Sequence, residues 1–461
     1  LGSLLFNCND GDPIVMYDKF AERWMIAEFD YTSPYNIYIA VSTSNDPTGS
    51  YNSYQYTSTV LPDYLKFSIW TDGYYMTANY GTAEKVLVFE RDVMIAGGAS
   101  PRMISATFNP PNAGYFFCPL SGYADGQLPP AGTPCPIFSF EDDGWGAAYD
   151  DAINIYNATT NWTAATPTLT IAFKQTLLTD AFDASYNSSW NDITQPGTSS
   201  KLDGIGGVFT FRAQHRVWPG WNSVVLCMGV KVSSTQRSIR WYELHQDQGT
   251  GTWSIYQQST YSPDTESRWC GSIAMDDRGG IGMGYAKSGS TTYPSACFTG
   301  RNGYDPLNQM TYEETVAATG SGVQTFTNRF GDYSHTSLDP ADGTIFWHTG
   351  EYFSGGNQRT KIFSFRIPYF ESLDEFAGSE VNAYTDGGNI IVSGSSLPNA
   401  EELVVDLFDI KGVLLSGKKV VTAAGLFSTE FAAQGLTPGV YLIRVGKMNT
   451  SFQRVIKVSI Q

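Results

Sequence analysis

A repeating pattern of apolar and polar positions runs through most of the chain. In each copy, an apolar run is followed by a turn that contains aspartate and a glycine or another small residue, and then by a run in which aromatic residues alternate with others. Clear copies surround Asp18, Asp72, Asp276 and Asp339, and weaker copies lie near Asp142 and Gln214. An alternation with a period of two is typical of half-buried strands, and aspartate in a tight turn accepts hydrogen bonds from its own backbone amides. The pattern therefore predicts a series of antiparallel hairpins with aspartates in their turns.

The spacing of the copies indicates a repeated unit of roughly 50 to 70 residues, which accommodates four strands joined by long loops. We therefore expect an all-β protein whose main domain is a β-propeller of six to seven blades, the first of which can be incomplete. An ordinary array of β-sandwiches is the alternative. Helical periodicity is nearly absent, and the best candidate for a short helix is Pro306–Thr319.

The pattern changes near residue 370. After a stretch that resembles a linker, six short strand-like runs with turn residues between them lie between residues 389 and 460. Such closely spaced short strands are typical of a small immunoglobulin-like β-sandwich. We expect a propeller domain over residues 1–370, a linker over 371–380 and a sandwich over 381–461.

Charge and hydropathy exclude several classes of protein. The 461 residues include 28 lysines and arginines against 45 aspartates and glutamates, for a net charge of −17. This charge argues against a nucleic acid or an anionic membrane as partner. No apolar run approaches the roughly 18–20 residues of a membrane-spanning helix. Acidic and basic residues are equal in number from residue 380 onward, so the net charge belongs to the first part of the chain.

The six cysteines permit complete disulfide pairing, which suits an oxidising compartment. Cys118 with Cys135, and Cys270 with Cys297, would each close a short loop worth about 3 kcal/mol. Cys8 and Cys227 would then form the third pair by elimination. Six buried thiols are the alternative, and the cysteines and histidines show no spacing typical of a zinc site.

A propeller concentrates its loops around the central channel, where ligands bind by default. The candidate residues for this site are Arg216, Arg240, Glu243, Arg268, Arg301, Asp305, Arg329, Asp332, Tyr333 and Asp339. Guanidinium groups beside carboxylates can recognise acidic sugars or peptide carboxylates, but they can equally brace one blade against the next. No recognisable catalytic motif is present, and no cofactor is expected. Calcium held by the loops Asn9–Pro13 and Ser44–Gly49 is a weaker alternative to ordinary turns.

The tail carries three stretches, VVDLFDIKGVLL, LTPGVYLIRVG and the terminal RVIKVSI. Together they resemble the C-terminal sorting domain of the type IX secretion system. The resemblance implies export across an outer membrane by the type IX machinery and an extracellular or cell-surface location. The residues expected to carry the sorting signal are Gly439, Tyr441, Val445 and Lys457.

Residues 9–352 resemble a family of secreted bacterial β-propellers without a characterised function. The stretches that carry this resemblance include NDGDPIVMYD, PDYLKFSIWTDGYYMT, RWCGSIAMD and RFGDYSHTSLDP. Members of that family usually have a further segment upstream, so we expect a seventh blade or its closing strands to be missing here. Members of that family usually have other residues at the positions of Cys118, Cys135, Cys270 and Cys297. Because these four cysteines occur here as two local pairs, the resemblance favours two disulfides.

Three hypotheses for function follow. The first is an exported protein that binds a glycan or protein partner, as in adhesion. The second is an extracellular glycoside hydrolase-like enzyme, which would need a solvent-reachable pair of carboxylates at the channel mouth. The third is a subunit of a surface assembly, with a partner chain at the edge formed by Leu1–Asn9.

Overall fold

The computed structural model describes residues 4–6, 8, 10–80, 84–108, 118–186, 189, 191–368, 380–397, 399–410, 413–447 and 453–460. These residues form an all-β protein, as the sequence predicts. The one α-helix among them is the short α1 (Arg91–Ile95). The expected helix at Pro306–Thr319 is wrong, because this segment instead contains a strand, Thr315–Ala318, which pairs with a neighbouring strand.

Residues 14–365 form six successive antiparallel meanders. The first meander contains β1 (Ile14–Asp18), β2 (Arg23–Phe29), β3 (Tyr35–Ser42) and β4 (Tyr51–Ser58), and the second contains β5 (Asp63–Ile69), β6 (Tyr74–Asn79), β7 (Glu84–Phe89) and β8 (Met103–Phe108). The third contains β9 (Leu120–Asp125), β10 (Cys135–Glu141), β11 (Ala152–Asn161) and β12 (Thr168–Leu178), and the fourth contains β13 (Phe209–Trp218), β14 (Trp221–Ser233), β15 (Gln236–Asp247) and β16 (Trp253–Tyr261). The fifth contains β17 (Ser267–Met275), β18 (Ile281–Ser288), β19 (Ser295–Arg301) and β20 (Thr315–Ala318), and the sixth contains β21 (His335–Leu338), β22 (Phe346–Ser354) and β23 (Asn357–Phe365). The first strands of the third and fourth meanders, β9 and β13, pair in parallel and join these two meanders into one sheet.

The aspartates of the repeated pattern lie in hairpin turns. Asp18 accepts hydrogen bonds from the amides of Phe20 and Ala21 at 3.1 and 3.2 Å, and Asp339 accepts from Ala341 and Asp342 at 2.9 and 3.0 Å. These contacts satisfy turn amides that have no partner in the ladder, which explains the recurring aspartate. The weak copy near Gln214 is misplaced, because Gln214 lies within β13 and the turn comes at Trp218–Trp221.

The predicted disulfides are absent from the structure. All six cysteines are thiols. The sulfur of Cys118 lies 3.7 Å from Thr77 Oγ1, whereas that of Cys135 lies 3.7 Å from the carbonyl oxygen of Gly122. Cys270 contacts the Phe330 carbonyl oxygen, and Cys227 contacts Thr210. The thiols contact different neighbours, so the disulfide pairs predicted from proximity in sequence are wrong.

The described residues of the tail form seven strands in two sheets. They are β24 (Glu380–Asp386), β25 (Asn389–Ser395), β26 (Glu402–Asp409), β27 (Leu414–Val421), β28 (Phe427–Ala432), β29 (Gly439–Lys447) and β30 (Gln453–Ile460), in the orders β24-β25-β28 and β27-β26-β29-β30. One apolar cluster includes residues of both sheets, among them Ile390, Val405 and Ile443. The six predicted strands are present, and β24 adds a seventh. Residues 371–379 of the expected linker lie outside the described residues.

The chain divides into two compact units. The first comprises residues 1–277, 282–299 and 313–365, and the second comprises residues 278–281, 300–312 and 366–461. The expected sorting residues lie in the second unit. Gly439, Tyr441 and Val445 are on β29, and the exposed Lys457 is on β30.

Candidate functional site

A cavity of about 400 Å³ lies at the starts of the first strands of several meanders in the first unit. Four aspartates and one arginine line it: Asp12, Asp63, Asp203, Asp332 and Arg329. We call this cavity the acidic pocket. Tyr31, Tyr64 and Asn79 add aromatic and amide groups to its wall.

Each acidic residue reaches the pocket from a different part of the chain. Asp12 precedes β1, Asp63 is the first residue of β5, and Asp203 lies in the loop before β13. Arg329 and Asp332 precede β21. The side chains therefore converge because the first strands of the meanders begin close together, and no local sequence motif contains all of them.

Burial gives the carboxyl groups of the pocket an environment that disfavours charge. It raises the pKa of Asp63 above its usual value, and the negative charge of Asp12 adds to the rise. Burial likewise raises the pKa of Asp203, although the Ile205 amide, at 2.8 Å, and the charge of Arg329 oppose this rise. Two aspartates of one pocket thus retain their protons to a higher pH than an ordinary aspartate.

Arg329 and Asp332 form an ion pair, and one of its contacts, from Arg329 Nε to Asp332 Oδ1, measures 3.2 Å. Both residues belong to the stretch RFGDY, so a short-range pair is built into the sequence. The pair places a guanidinium group at the wall of an otherwise acidic cavity. It supplies hydrogen-bond donors there.

Lys66 and two tyrosines lie directly beside this pocket, around a small adjoining cavity that also contains Asp332. The Tyr333 hydroxyl donates to Asp12 Oδ2 at 2.8 Å. The ammonium nitrogen of Lys66 lies 3.0 Å from the ring centroid of Tyr64 and 4.2 Å from that of Tyr333. Burial lowers the pKa of Lys66 to about 7, so a substantial fraction is neutral near neutral pH.

Of the residues predicted for a site, Arg329, Asp332 and Tyr333 lie at these two cavities. Four others are buried in contacts within the protein. Arg216 donates to the Met275 carbonyl and pairs with Asp277, and Arg240 donates to Gln258. Arg268 pairs with Asp264 and Glu314, and Glu243 contacts His245 at 2.6 Å. The contacts of Arg216 run from β13 to the end of β17 in the next meander, as bracing between blades requires. The partners named for Arg240, Arg268 and Glu243 lie in or beside their own meander.

The last three predicted residues lie elsewhere. Arg301 is buried and donates to the carbonyl oxygens of Asp305 and Pro306 at 2.7 and 3.0 Å. Asp305 accepts from the Asn302 amide, so both residues shape their own loop. Asp339 lines a different cavity, described below.

The sequence did not single out Asp12, Asp63, Asp203 or Lys66 as site residues. Asp12 lies in the loop Asn9–Pro13, for which the sequence offers only calcium as a ligand, and Asp63 and Lys66 lie in the stretch PDYLKFS. Both stretches carry the resemblance to secreted propellers. Both stretches lie at the start of the first strand of a meander, and this position is the signal that could have identified their charged residues as site residues.

Three acidic side chains, Asp142, Asp143 and Asp151, lie close enough to hold one ion. Asp142 already accepts from the amides of Gly144 and Ala184, and Asp151 accepts from those of Asp143 and Phe182. In the loop Ser44–Gly49, Asp46 accepts from the amide and hydroxyl of Thr48, as in an ordinary turn. Within the described ranges, no helix is long and apolar enough to cross a membrane.

No protein-family model matches the chain, and no curated protein matches it. Among solved structures, an endo-arabinase from Bacteroides thetaiotaomicron VPI-5482 is similar with 13% identity over 63% of this chain and 93% of its own, at a TM-score of 0.29. A protein of unknown function from Dyadobacter fermentans DSM 18053 has 11% identity over 91% of this chain and 94% of its own, at a TM-score of 0.32. A Trypanosoma rangeli sialidase in complex with 2,3-difluorosialic acid has 8% identity over 89% of this chain and 85% of its own, at a TM-score of 0.32. These values are too low to assign a fold or an activity.

Proposed function

We propose that the protein is an extracellular enzyme that hydrolyses glycosidic bonds in the acidic pocket. The observation that carries the proposal is the pair of Asp12 and Asp63. These two carboxyl groups line one cavity, and the charge of one raises the pKa of the other. Glycoside hydrolysis requires two such groups, one protonated and one ionised, on either side of the scissile bond.

In this proposal Asp63 is the general acid and protonates the glycosidic oxygen as the bond to the leaving group breaks. Asp12 is the carboxylate that activates water or attacks the anomeric carbon, and the Tyr333 hydroxyl holds its orientation through the 2.8 Å hydrogen bond. Arg329 and Asp332 would bind sugar hydroxyls beside the reacting bond. Activity should fall as pH rises through the raised pKa of Asp63, because the acid then loses its proton.

Recognition without cleavage, as in adhesion, is the second candidate. Tyr31 and Tyr64 line the same cavity beside hydrogen-bonding side chains, and this combination is sufficient to bind a saccharide. In this candidate the acidic pocket binds the saccharide but does not cleave it.

We further propose that the six meanders are the blades of a β-propeller. The support is that the starts of β1, β5 and β21 contribute side chains to one cavity, as the first strands around a central channel would. The last meander has three described strands. The partner chain expected at residues 1–9 stays a prediction, because residues 1–3, 7 and 9 lie outside the described residues.

For export, we propose that residues 381–461 are a type IX sorting domain with an immunoglobulin-like fold. The support is the two-sheet arrangement with its own apolar core and the basic terminal strand. Deleting residues 381–461 should retain the protein inside a host that has the type IX machinery. Secretion of the shortened chain at the level of the full chain would contradict this proposal.

Release of reducing sugar from a panel of extracellular polysaccharides tests the enzymatic proposal. On any hydrolysed polysaccharide, we expect Asp63→Asn and Asp12→Asn to lower kcat by roughly 10²–10⁴-fold. The exposed Asp150→Asn, outside the pocket, is the matched control and should retain activity. Saccharide binding without hydrolysis across the panel would favour the second candidate, and full activity of Asp63→Asn would overturn the assigned acid.

A further inference from the structure

A second cavity, of about 410 Å³, lies near the opposite ends of the first strands. Five aromatic residues line it: Tyr17, Phe20, Trp24, Tyr123 and Trp347. We call it the aromatic pocket. It has no lining residue in common with the acidic pocket, and its aromatic side chains come from β1, β2, β9 and β22 and from the turn after β1.

The rings of this pocket are held in place by hydrogen bonds at their edges. Trp24 Nε1 donates to the Asn45 carbonyl oxygen at 3.0 Å, and Trp347 Nε1 donates to Asp339 Oδ2 at 3.0 Å. Trp347 is 41% exposed, so part of this ring faces solvent at the rim. Fixed and partly exposed rings are suited to stacking on a sugar ring.

Arg212 lines the same pocket and is only 3% exposed. Its guanidinium carbon lies 3.6 Å from the ring centroid of Tyr123, and its Nη2 contacts Nε2 of His335. Its Nε has no hydrogen-bond partner. Within the described part of the chain, Arg212 forms no ion pair with a carboxylate.

The neighbouring groups do not neutralise this charge. Burial, together with the charge of Arg212, holds the pKa of His335 well below its usual value, so the imidazole is neutral. Asp125 is already engaged by Lys19 and by Gln214, and Asp339 accepts from Trp347 and from its own turn. A buried guanidinium group without a carboxylate partner carries a large desolvation cost, which a bound anion would offset.

We propose that the aromatic pocket binds a uronic acid residue, whose carboxylate pairs with Arg212 while its pyranose ring stacks on the aromatic side chains. A guanidinium group presents paired donors that match the two oxygens of a carboxylate. The proposal commits to an acidic sugar over a neutral one, because stacking alone would not account for Arg212. It is independent of catalysis in the acidic pocket.

Calorimetric titration of the full chain with digalacturonate, diglucuronate and the methyl ester of each tests this proposal. We expect the better of the two acids to bind at least about 10-fold more tightly than its own ester, because esterification removes the charge that Arg212 recognises. This comparison needs no variant, so it stands even if a substitution of Arg212 impairs folding. Equal affinity for acid and ester, or no binding of either acid, would overturn the proposal.

Variants of the residues that line the aromatic pocket test whether the uronic acid binds there. Arg212→Gln should weaken binding of the acid by at least about 30-fold and abolish the preference over the ester. Trp347→Ala should weaken acid and ester together, since it removes only the stacking surface. The matched control is Arg359→Gln, an exposed arginine of β23 outside the pocket, which should bind as the unaltered chain does. An Arg212→Gln protein that folds and retains the preference for the acid would contradict the assignment.

Discussion

Burial sets the charge of several ionisable side chains in this protein. Burial raises the pKa of Glu351 to about 7, and the Gly331 amide, which donates to its Oε2 at 2.9 Å, opposes this rise only in part. Oε1 of Glu351 is buried without a partner. The same effect acts in the opposite direction on Lys66, whose pKa falls to about 7. Glu351 accepts from Gly331, which lines the small cavity beside the acidic pocket together with Lys66.

Glu351 predicts a pH dependence of stability. Its pKa is about 7 in the folded protein against 4.5 for an ordinary glutamate, so the folded state binds more protons between these values. The contribution of Glu351 to the free energy of unfolding should therefore fall as pH rises from about 4.5 to about 7, by about 1–3 kcal/mol. Chemical denaturation of the unaltered chain and of Glu351→Gln across this range measures it. Glu313→Gln controls for the loss of an acidic side chain at an exposed position.

A constant difference in the free energy of unfolding between the unaltered chain and Glu351→Gln over this pH range would contradict the assignment. A difference that changes with pH in the opposite direction would also contradict it. The expected sign follows from proton binding alone and does not require the acidic pocket to be catalytic.

At the scale of the elements, small residues allow successive meanders to pack closely. Gly282 and Gly284 lie at alternate positions of β18 and face β22 of the next meander. A methyl group at Gly282 would collide with the ring of Phe346, and one at Gly284 would collide with the imidazole of His348. His348 is fully buried, and its Nδ1 lies 2.8 Å from Thr336 Oγ1, which restricts its movement. The glycines thus fix how near two sheets approach.

Gly284→Ala should lower the free energy of unfolding by about 1–3 kcal/mol, since the added methyl group overpacks the contact between β18 and β22. Gly322→Ala is the matched control, because a methyl group there meets the ring of Phe353 only at 3.4 Å, an ordinary contact distance. Denaturant unfolding of both variants provides the comparison. Equal stabilities would mean that β22 shifts away without cost.

At the scale of the whole molecule, the two compact units have separate apolar cores. The excess of acidic over basic residues lies before residue 380, whereas the two kinds are equal in number from residue 380 onward. We therefore expect the two units to unfold in separate transitions.

Ile443→Ala tests this independence, since Ile443 is fully buried in the core of the second unit. We expect it to destabilise that unit by about 2–5 kcal/mol and to lower the midpoint of one calorimetric transition. The other transition should not move. A single transition, or an equal shift of both, would show that the units unfold together.

The sequence predicted the all-β class, the aspartate turns at Asp18 and Asp339, and the six tail strands, because each depends on residues close together in the chain. It failed where distant segments meet. Spacing suggested the pairing of Cys118 with Cys135, but these thiols contact different neighbours in the fold. Asp12 and Asp63 come together only because two first strands begin side by side. Predicted arginines such as Arg268 proved to be buried in ion pairs.

A crystal structure of Asp63→Asn with an oligosaccharide that the unaltered chain hydrolyses would show whether cleavage takes place in the acidic pocket. The substitution should leave the substrate intact in the site. We expect density for sugar rings in the acidic pocket, with a glycosidic oxygen within hydrogen-bonding distance of residue 63 and an anomeric carbon facing Asp12. An oligosaccharide bound elsewhere, with the acidic pocket holding none of its rings, would contradict it.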